Sequence, residues 1–119
     1  MLVVDDHASV RQGLRMRLKQ EDDIVIAGEA GDAHAALELA RQLRPDVVLV
    51  DLRLPDLDGA DVSRQLRCVA PESATVVLSL YDDGPSRARA SAAGSVAFVS
   101  KREPVEKLVA AIRHAAGQR

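Results

Sequence analysis

Pro45-Asp46-Val47-Val48-Leu49-Val50-Asp51-Leu52-Arg53-Leu54-Pro55-Asp56-Leu57-Asp58-Gly59 decides the fold of this chain. Val47 to Val50 is an unbroken apolar run, the mark of a strand covered on both faces in a parallel sheet. A carboxylate, Asp51, stands where the run ends. Pro55 and Gly59 punctuate the loop that follows. In open α/β sheets, ligands sit beyond the carboxyl ends of the strands, where strand order reverses. The fold therefore sets Asp51 where chemistry is done.

Working outward, other strands read the same way. Met1-Leu2-Val3-Val4 is the first and ends in Asp5-Asp6. Ile24-Val25-Ile26-Ala27 is the second, Thr75 to Leu80 the fourth and Val96 to Ser100 the fifth, followed by Lys101. Helical patterns fill the gaps. Ser9 caps the first, with Val10, Leu14 and Leu18 inward and an end near Glu21-Asp22-Asp23. Asp32 caps the second, which carries Ala36, Leu37, Ala40 and Leu43 and stops before Pro45. The third runs roughly 60–69 with Val62, Leu66 and Val69 inward, and Pro71 closes it. Residues 86–93 have helix propensity but no large apolar side chain, so this helix packs weakly and is expected to be mobile. Pro104 begins the last helix, with Leu108, Ala111, Ile112 and Ala115 on one side. Five strands alternating with five helices make a parallel sheet with helices on both faces. Right-handed crossovers bring the strand ends together.

Composition agrees with one domain. The 119 residues are 47 % hydrophobic but only 2 % aromatic, so small residues must pack helices closely on the sheet. The net charge of −2 gives no basic surface for nucleic acid. Nothing resembles a signal peptide or a bilayer-spanning run of about 20 apolar residues. A soluble cytoplasmic domain is the expectation. The one cysteine, Cys68, excludes an internal disulfide and reads as a small core filler.

Asp5, Asp6, Asp51, Ser79 and Lys101 all stand at strand ends. Three carboxylates in one place repel each other, and a divalent cation relieves this. Mg2+ suits such hard oxygen ligands, with a backbone carbonyl near Arg53 to complete the shell. Lys101 offers a mobile positive charge to a phosphoryl oxygen, and Ser79 a hydroxyl. Together they form a site able to accept a phosphoryl group. Singly, each has a plainer reading: a turn pair, a strand-end carboxylate, a structural serine, a surface lysine. Their joint placement argues against those readings.

At this point the sequence resembles the receiver domains of bacterial two-component response regulators. The resemblance spans essentially the whole chain. It rests on Leu2 to His7, the opening stretch from Asp46 to Gly59, Val76 to Ser79, and Ala93 to Lys101. It implies a (βα)5 flavodoxin-like three-layer sandwich with strand order 2-1-3-4-5. It implies Asp51 as phosphoacceptor, Asp5 and Asp6 as the acidic pair for Mg2+, and the Arg53 carbonyl as a further metal ligand. Ser79 and Phe98 resemble the switch pair, and Lys101 the essential lysine. Arg53 and Tyr81, two positions after Asp51 and Ser79, flank the expected water path and are predicted to tune dephosphorylation. Many receivers have proline directly after the lysine; here Arg102 follows and proline comes at 104. With Asp5-Asp6-His7, that pattern is similar to the NarL/FixJ (LuxR-family) type.

The resemblance implies a histidine-kinase partner, allows a homodimer, and places a helix-turn-helix DNA-binding domain outside this sequence. His7 is read as an exposed turn residue; nothing assigns a role to His34 or His114. Two other readings fit parts of the sequence. A phosphorylation-independent interaction module would keep only a vestigial site. A phosphatase working through an aspartyl phosphate commonly carries a second Asp two residues after the nucleophile, where this chain has Arg53.

Overall fold

The computed structural model describes residues 1–117. A five-stranded parallel sheet forms its middle layer, in the order β2-β1-β3-β4-β5. The strands are β1 (Leu2–Val4), β2 (Gly28–Ala30), β3 (Val47–Val50), β4 (Ala74–Ser79) and β5 (Ala97–Ser100). The helices are α1 (Ala8–Leu18), α2 (Ala33–Leu43), α3 (Gly59–Val69), α4 (Gly84–Ala92) and α5 (Val105–Ala116). This is the expected (βα)5 architecture and strand order.

β3 is central and buried throughout, as its unbroken apolar run requires. Alternate side chains leave it on opposite faces, dividing the core in two. Val48 and Val50 join Leu2, Val4, Val62 and Leu66 on the α2–α3 side. Val47 and Leu49 join Leu18, Val76, Leu108 and Ile112 on the α1–α5 side. Burying each such Val or Leu contributes about 1.5–3 kcal/mol. The small residues do what the low aromatic content demands. Ala33, Ala36 and Ala40 are fully buried and let α2 lie close on the sheet.

Several local expectations need correction. β2 lies at Gly28–Ala30, where Leu2 pairs with Gly28, and not at Ile24–Ala27. The apolar segment before it packs Ile24 and Ile26 inward and leaves Val25 exposed. The pairing with β1 begins only beyond it. α1 is capped at His7 rather than Ser9, with no side-chain cap bond, and it ends at Leu18, before Glu21. Leu80 and Val96 fall outside β4 and β5 and are exposed. Pro104 is the N-cap residue of α5 rather than its first helical residue. Cys68 is exposed, not a core filler. The inward face of α3 is set by Val62, Ser63 and Leu66, and a residue two beyond Leu66 points about 200° away from it.

α4 matches its weak pattern: Ala90 is its one buried residue. Polar contacts hold its start, where the Asp83 carboxylate accepts the Ser86 amide at 2.8 Å. No described helix is long and apolar enough to cross a membrane.

Candidate functional site

The site forms at the carboxyl ends of β1, β3, β4 and β5. Asp5 follows β1 and is 2 % exposed; Asp51 follows β3 and is 7 % exposed. Their positions are linked through the backbone, since the Asp51 amide donates to Val4 O at 2.9 Å. Lys101, after β5, reaches between them. Its Nζ lies 2.9 Å from Asp5 Oδ2 and 3.0 Å from Asp51 Oδ2.

The remaining carboxylate oxygens are held by amides. His7 N donates to Asp5 Oδ1 at 2.9 Å, and Arg53 N to Asp51 Oδ1 at 3.2 Å. Arg11 adds a hydrogen bond to the Asp5 carbonyl. These contacts set the charges apart. Burial pushes the Asp5 carboxyl up, but the His7 amide and the Lys101 ammonium outweigh it and hold Asp5 below the usual range. Burial pushes Asp51 up as well, and there Lys101 and the Arg53 amide do not fully offset it; repulsion from Asp5 adds to the rise. Lys101 itself is pushed down by burial and held up more strongly by both carboxylates. Asp51 is thus the more basic carboxylate of the pair.

Asp6 is more exposed and faces outward. With Asp5, His7 and Asp51 it forms a group whose ligand atoms lie within 4.8 Å of one another, a cluster able to hold a metal ion. His7 is exposed, as expected of a turn residue, yet it touches both carboxylates. Its Nδ1 lies 3.0 Å from Asp6 Oδ1 and 3.3 Å from Asp5 Oδ1.

Ser79 closes β4, fully buried, and its Oγ accepts the Tyr81 amide at 3.0 Å. Lys101 N donates to Ser79 O at 2.9 Å, which sets the β4 and β5 ends side by side. Phe98 is half-buried against the α2–α3 core, with the Arg87 guanidinium 4.6 Å from its ring centre. The Arg53 guanidinium stacks 4.1 Å from the Tyr81 ring centre. Arg53 and Tyr81 thus stand together at the rim, a contact that their separate offsets from Asp51 and Ser79 do not signal.

The loop from Asp51 to Gly59 is tightly folded. Gly59 N donates to Leu52 O at 2.6 Å. A Cβ on Gly59 would lie 2.5 Å from the Asp51 carbonyl, so only glycine fits. Asp56 ties the loop to α2 by accepting the Ala33 and His34 amides at 2.8 and 3.1 Å. Asp58 caps α3 at Ala60 N and pairs with Arg89 of α4. The sequence signals Asp58 only as a cap before a helix, and it carries no signal for Arg89.

Residues 1–113 match the family described as the response regulator receiver domain. The response regulator GacA of Pseudomonas aeruginosa is 37 % identical over 120 residues, covering 100 % of this chain and 56 % of GacA. The transcriptional regulatory protein YxjL of Bacillus subtilis is 33 % identical over 114 residues, covering 96 % of this chain and 52 % of YxjL. The chain therefore spans about half the length of the curated relatives it matches. Among solved structures, the signal receiver domain of NarL from Mycobacterium tuberculosis superposes with a TM-score of 0.93 at 32 % identity, covering 99 % of this chain and 95 % of that one. A LuxR-family two-component response regulator from Aurantimonas sp. SI85-9A1 gives a TM-score of 0.94 at 30 % identity, covering 99 % and 84 %. Fold, strand order and sequence agree: the chain belongs to the receiver domain family of two-component response regulators.

Proposed function

We propose that Asp51 accepts a phosphoryl group from a sensor histidine kinase and that the modified domain switches between two conformations. One observation carries this reading: Lys101 Nζ bridges Asp5 and Asp51 at 2.9 and 3.0 Å. A carboxylate oxygen of Asp51 attacks phosphorus, forming an acyl phosphate. The bond from phosphorus to the donor breaks, and the donor keeps the electron pair. Lys101 sits close enough to follow the new phosphoryl oxygens, as an ammonium point charge. The oxygen-rich donors of Asp5, Asp6 and Asp51, with the Arg53 carbonyl, fit Mg2+, which when bound neutralises charge on the transferring group.

Ser79 and Phe98 form the switch. The Ser79 hydroxyl, whose oxygen accepts the Tyr81 amide, turns to donate its hydrogen to a phosphoryl oxygen, and the half-buried Phe98 ring repacks in response. The Arg53–Tyr81 stack covers the approach of water and sets phosphoryl lifetime. The domain thus catalyses only its own phosphorylation and hydrolysis. Its role in the whole protein is to control an output, transcription through a helix-turn-helix domain, in the cytoplasm. GacA and YxjL extend well beyond the part this chain matches, and YxjL is a transcriptional regulatory protein by name, which supports an output role in transcription.

The test is an intact-mass spectrum after incubation with Mg2+ and acetyl phosphate, beside an Asp51→Asn control. A Mg2+-dependent, base-labile phosphoryl adduct, missing in the variant, is the expected result. An adduct that persists in the variant would remove Asp51 from its role. A chain that takes no phosphoryl group from either acetyl phosphate or a kinase would instead be a phosphorylation-independent interaction module.

A further inference from the structure

Helix α4 is held to the body of the domain mainly by polar contacts. Its one buried residue is Ala90, and alanine supplies little apolar area. Its last turn carries Arg89, whose Nη2 lies 2.5 Å from Asp58 Oδ2. The other Asp58 oxygen, Oδ1, accepts Ala60 N at 2.8 Å and caps α3. The Asp58 backbone pairs in an antiparallel bridge with Arg53. Arg53 N in turn donates to Asp51 Oδ1. Two residues therefore separate the guanidinium of α4 from the Asp51 carboxylate, and each step is a hydrogen bond or a backbone pair.

The other end of α4 is closed by its own cap. Asp83, its N-cap, is held below the usual carboxylate range first by the Ser86 amide and hydroxyl, and the Arg53 guanidinium adds to this. Asp58, the partner of Arg89 on α4, pairs with Arg53 to close the phosphoacceptor loop. Asp61 of α3 lends Arg89 a further negative neighbour.

We propose that the Asp58–Arg89 ion pair couples α4 to the phosphoacceptor loop, making Arg89 a positioning residue for the Asp51 site. The proposal deepens the reading of Asp51 as phosphoacceptor and rests on it for its consequence, a change in α4 on phosphorylation. The coupling is reciprocal: whatever loosens α4 must loosen the loop. Without the pair, α4 and loop 53–59 open independently.

Hydrogen exchange by mass spectrometry tests it, comparing the native chain with Arg89→Gln, Asp58→Asn and the double variant. Asparagine keeps an oxygen for the α3 cap, so Asp58→Asn removes charge and not the cap. Without any phosphodonor, Arg89→Gln should speed exchange in loop 53–59, and Asp58→Asn should speed it in residues 86–92. Each change should be about two- to five-fold, the range that an exposed ion pair supplies. The double variant should match the single ones rather than exceed them. Arg89→Lys should restore most of the protection. With acetyl phosphate and Mg2+, the native α4 should change its exchange, while α4 in either variant changes less. Loop exchange unchanged in Arg89→Gln, or effects that add in the double variant, would overturn the coupling. Absence of a phosphoryl adduct in the native chain, with the exchange coupling intact, would overturn the phosphoacceptor reading instead and leave the linkage standing.

Discussion

Lys101 Nζ sits 3.0 Å from Asp51 Oδ2 and 2.9 Å from Asp5 Oδ2, one cation shared by two buried carboxylates. One positive charge does not neutralise two negative ones. The excess falls on Asp51, whose carboxyl is pushed up by burial and by Asp5.

Asp51→Asn should therefore stabilise the domain when no divalent cation is present. A raised folded value means that the native state binds the proton more tightly than the unfolded chain does. That contribution is complete below the usual carboxylate range and is lost as pH rises through the raised value. At pH 7 the charged native Asp51 is a cost, and asparagine removes it. The thermal midpoint should rise by about 2–5 °C, on the order of 1 kcal/mol. The advantage should shrink as pH falls toward about 4 and Asp51 takes up its proton. Calorimetry at pH 7 and pH 4.5 in EDTA checks both parts. An equal gain at the two pH values would show that repulsion is not the cause.

Gly59→Ala should destabilise by about 1–3 kcal/mol, because the new methyl meets backbone that cannot swing away. The contacts are Asp51 O at 2.5 Å and Leu52 Cα at 2.7 Å. Phosphoryl uptake should slow as well, since the displaced atoms carry the Asp51 side chain. Urea titration should give a lower midpoint with an unchanged slope. A midpoint equal to that of the native chain would mean that the loop relaxes freely.

Arg53→Ala and Tyr81→Ala should each shorten the phosphoryl lifetime, by about two- to ten-fold, because either change removes one half of the stack at the rim. The double variant should do little more than either one, since the partners act as a unit. Decay of the adduct by mass spectrometry is the readout. Lifetimes that do not move would separate this stack from control of water.

Acid should loosen the α5 end of the domain in an Arg113-dependent way. The Arg113 guanidinium reaches Asp23 at 2.9 Å and Glu21 at 2.8 Å. Hydrogen bonds from Arg113 to Asp23, and from Arg17 and then Arg113 to Glu21, hold both carboxyls below their usual range. Their stabilising contribution is present above the unfolded carboxylate value and is lost as pH falls through the depressed folded values. Below about pH 4 the native chain should lose this increment, and Arg113→Ala should lack at every pH the part that Arg113 supplies, keeping only what Arg17 gives Glu21. Stability curves from pH 2.5 to 6 that stay parallel for the two proteins would contradict it.

The sequence by itself determined the sheet, the order of elements and the corner where chemistry collects. The four buried residues of Val47–Val50 can satisfy their apolar side chains only at the centre of a covered sheet. Asp51 must then lie at the strand end, and crossover geometry brings Asp5, Ser79 and Lys101 to it. Local ends were less legible. Ile24-Val25-Ile26 has a strand's composition, yet pairing with β1 begins at Gly28, because the register is set by neighbours and not by propensity. Cys68 lies in a helical pattern that suits core, and only the inward face set by Val62, Ser63 and Leu66 turns it outward.

What only the tertiary structure decided are contacts between side chains distant in the chain. The sharing of Lys101 between Asp5 and Asp51, the stacking of Arg53 on Tyr81 and the pairing of Arg89 with Asp58 are of this kind. Arginines that reach a partner and arginines that reach only water look the same in sequence. Length and charge are equal, and the difference lies in where another element places its carboxylate or ring.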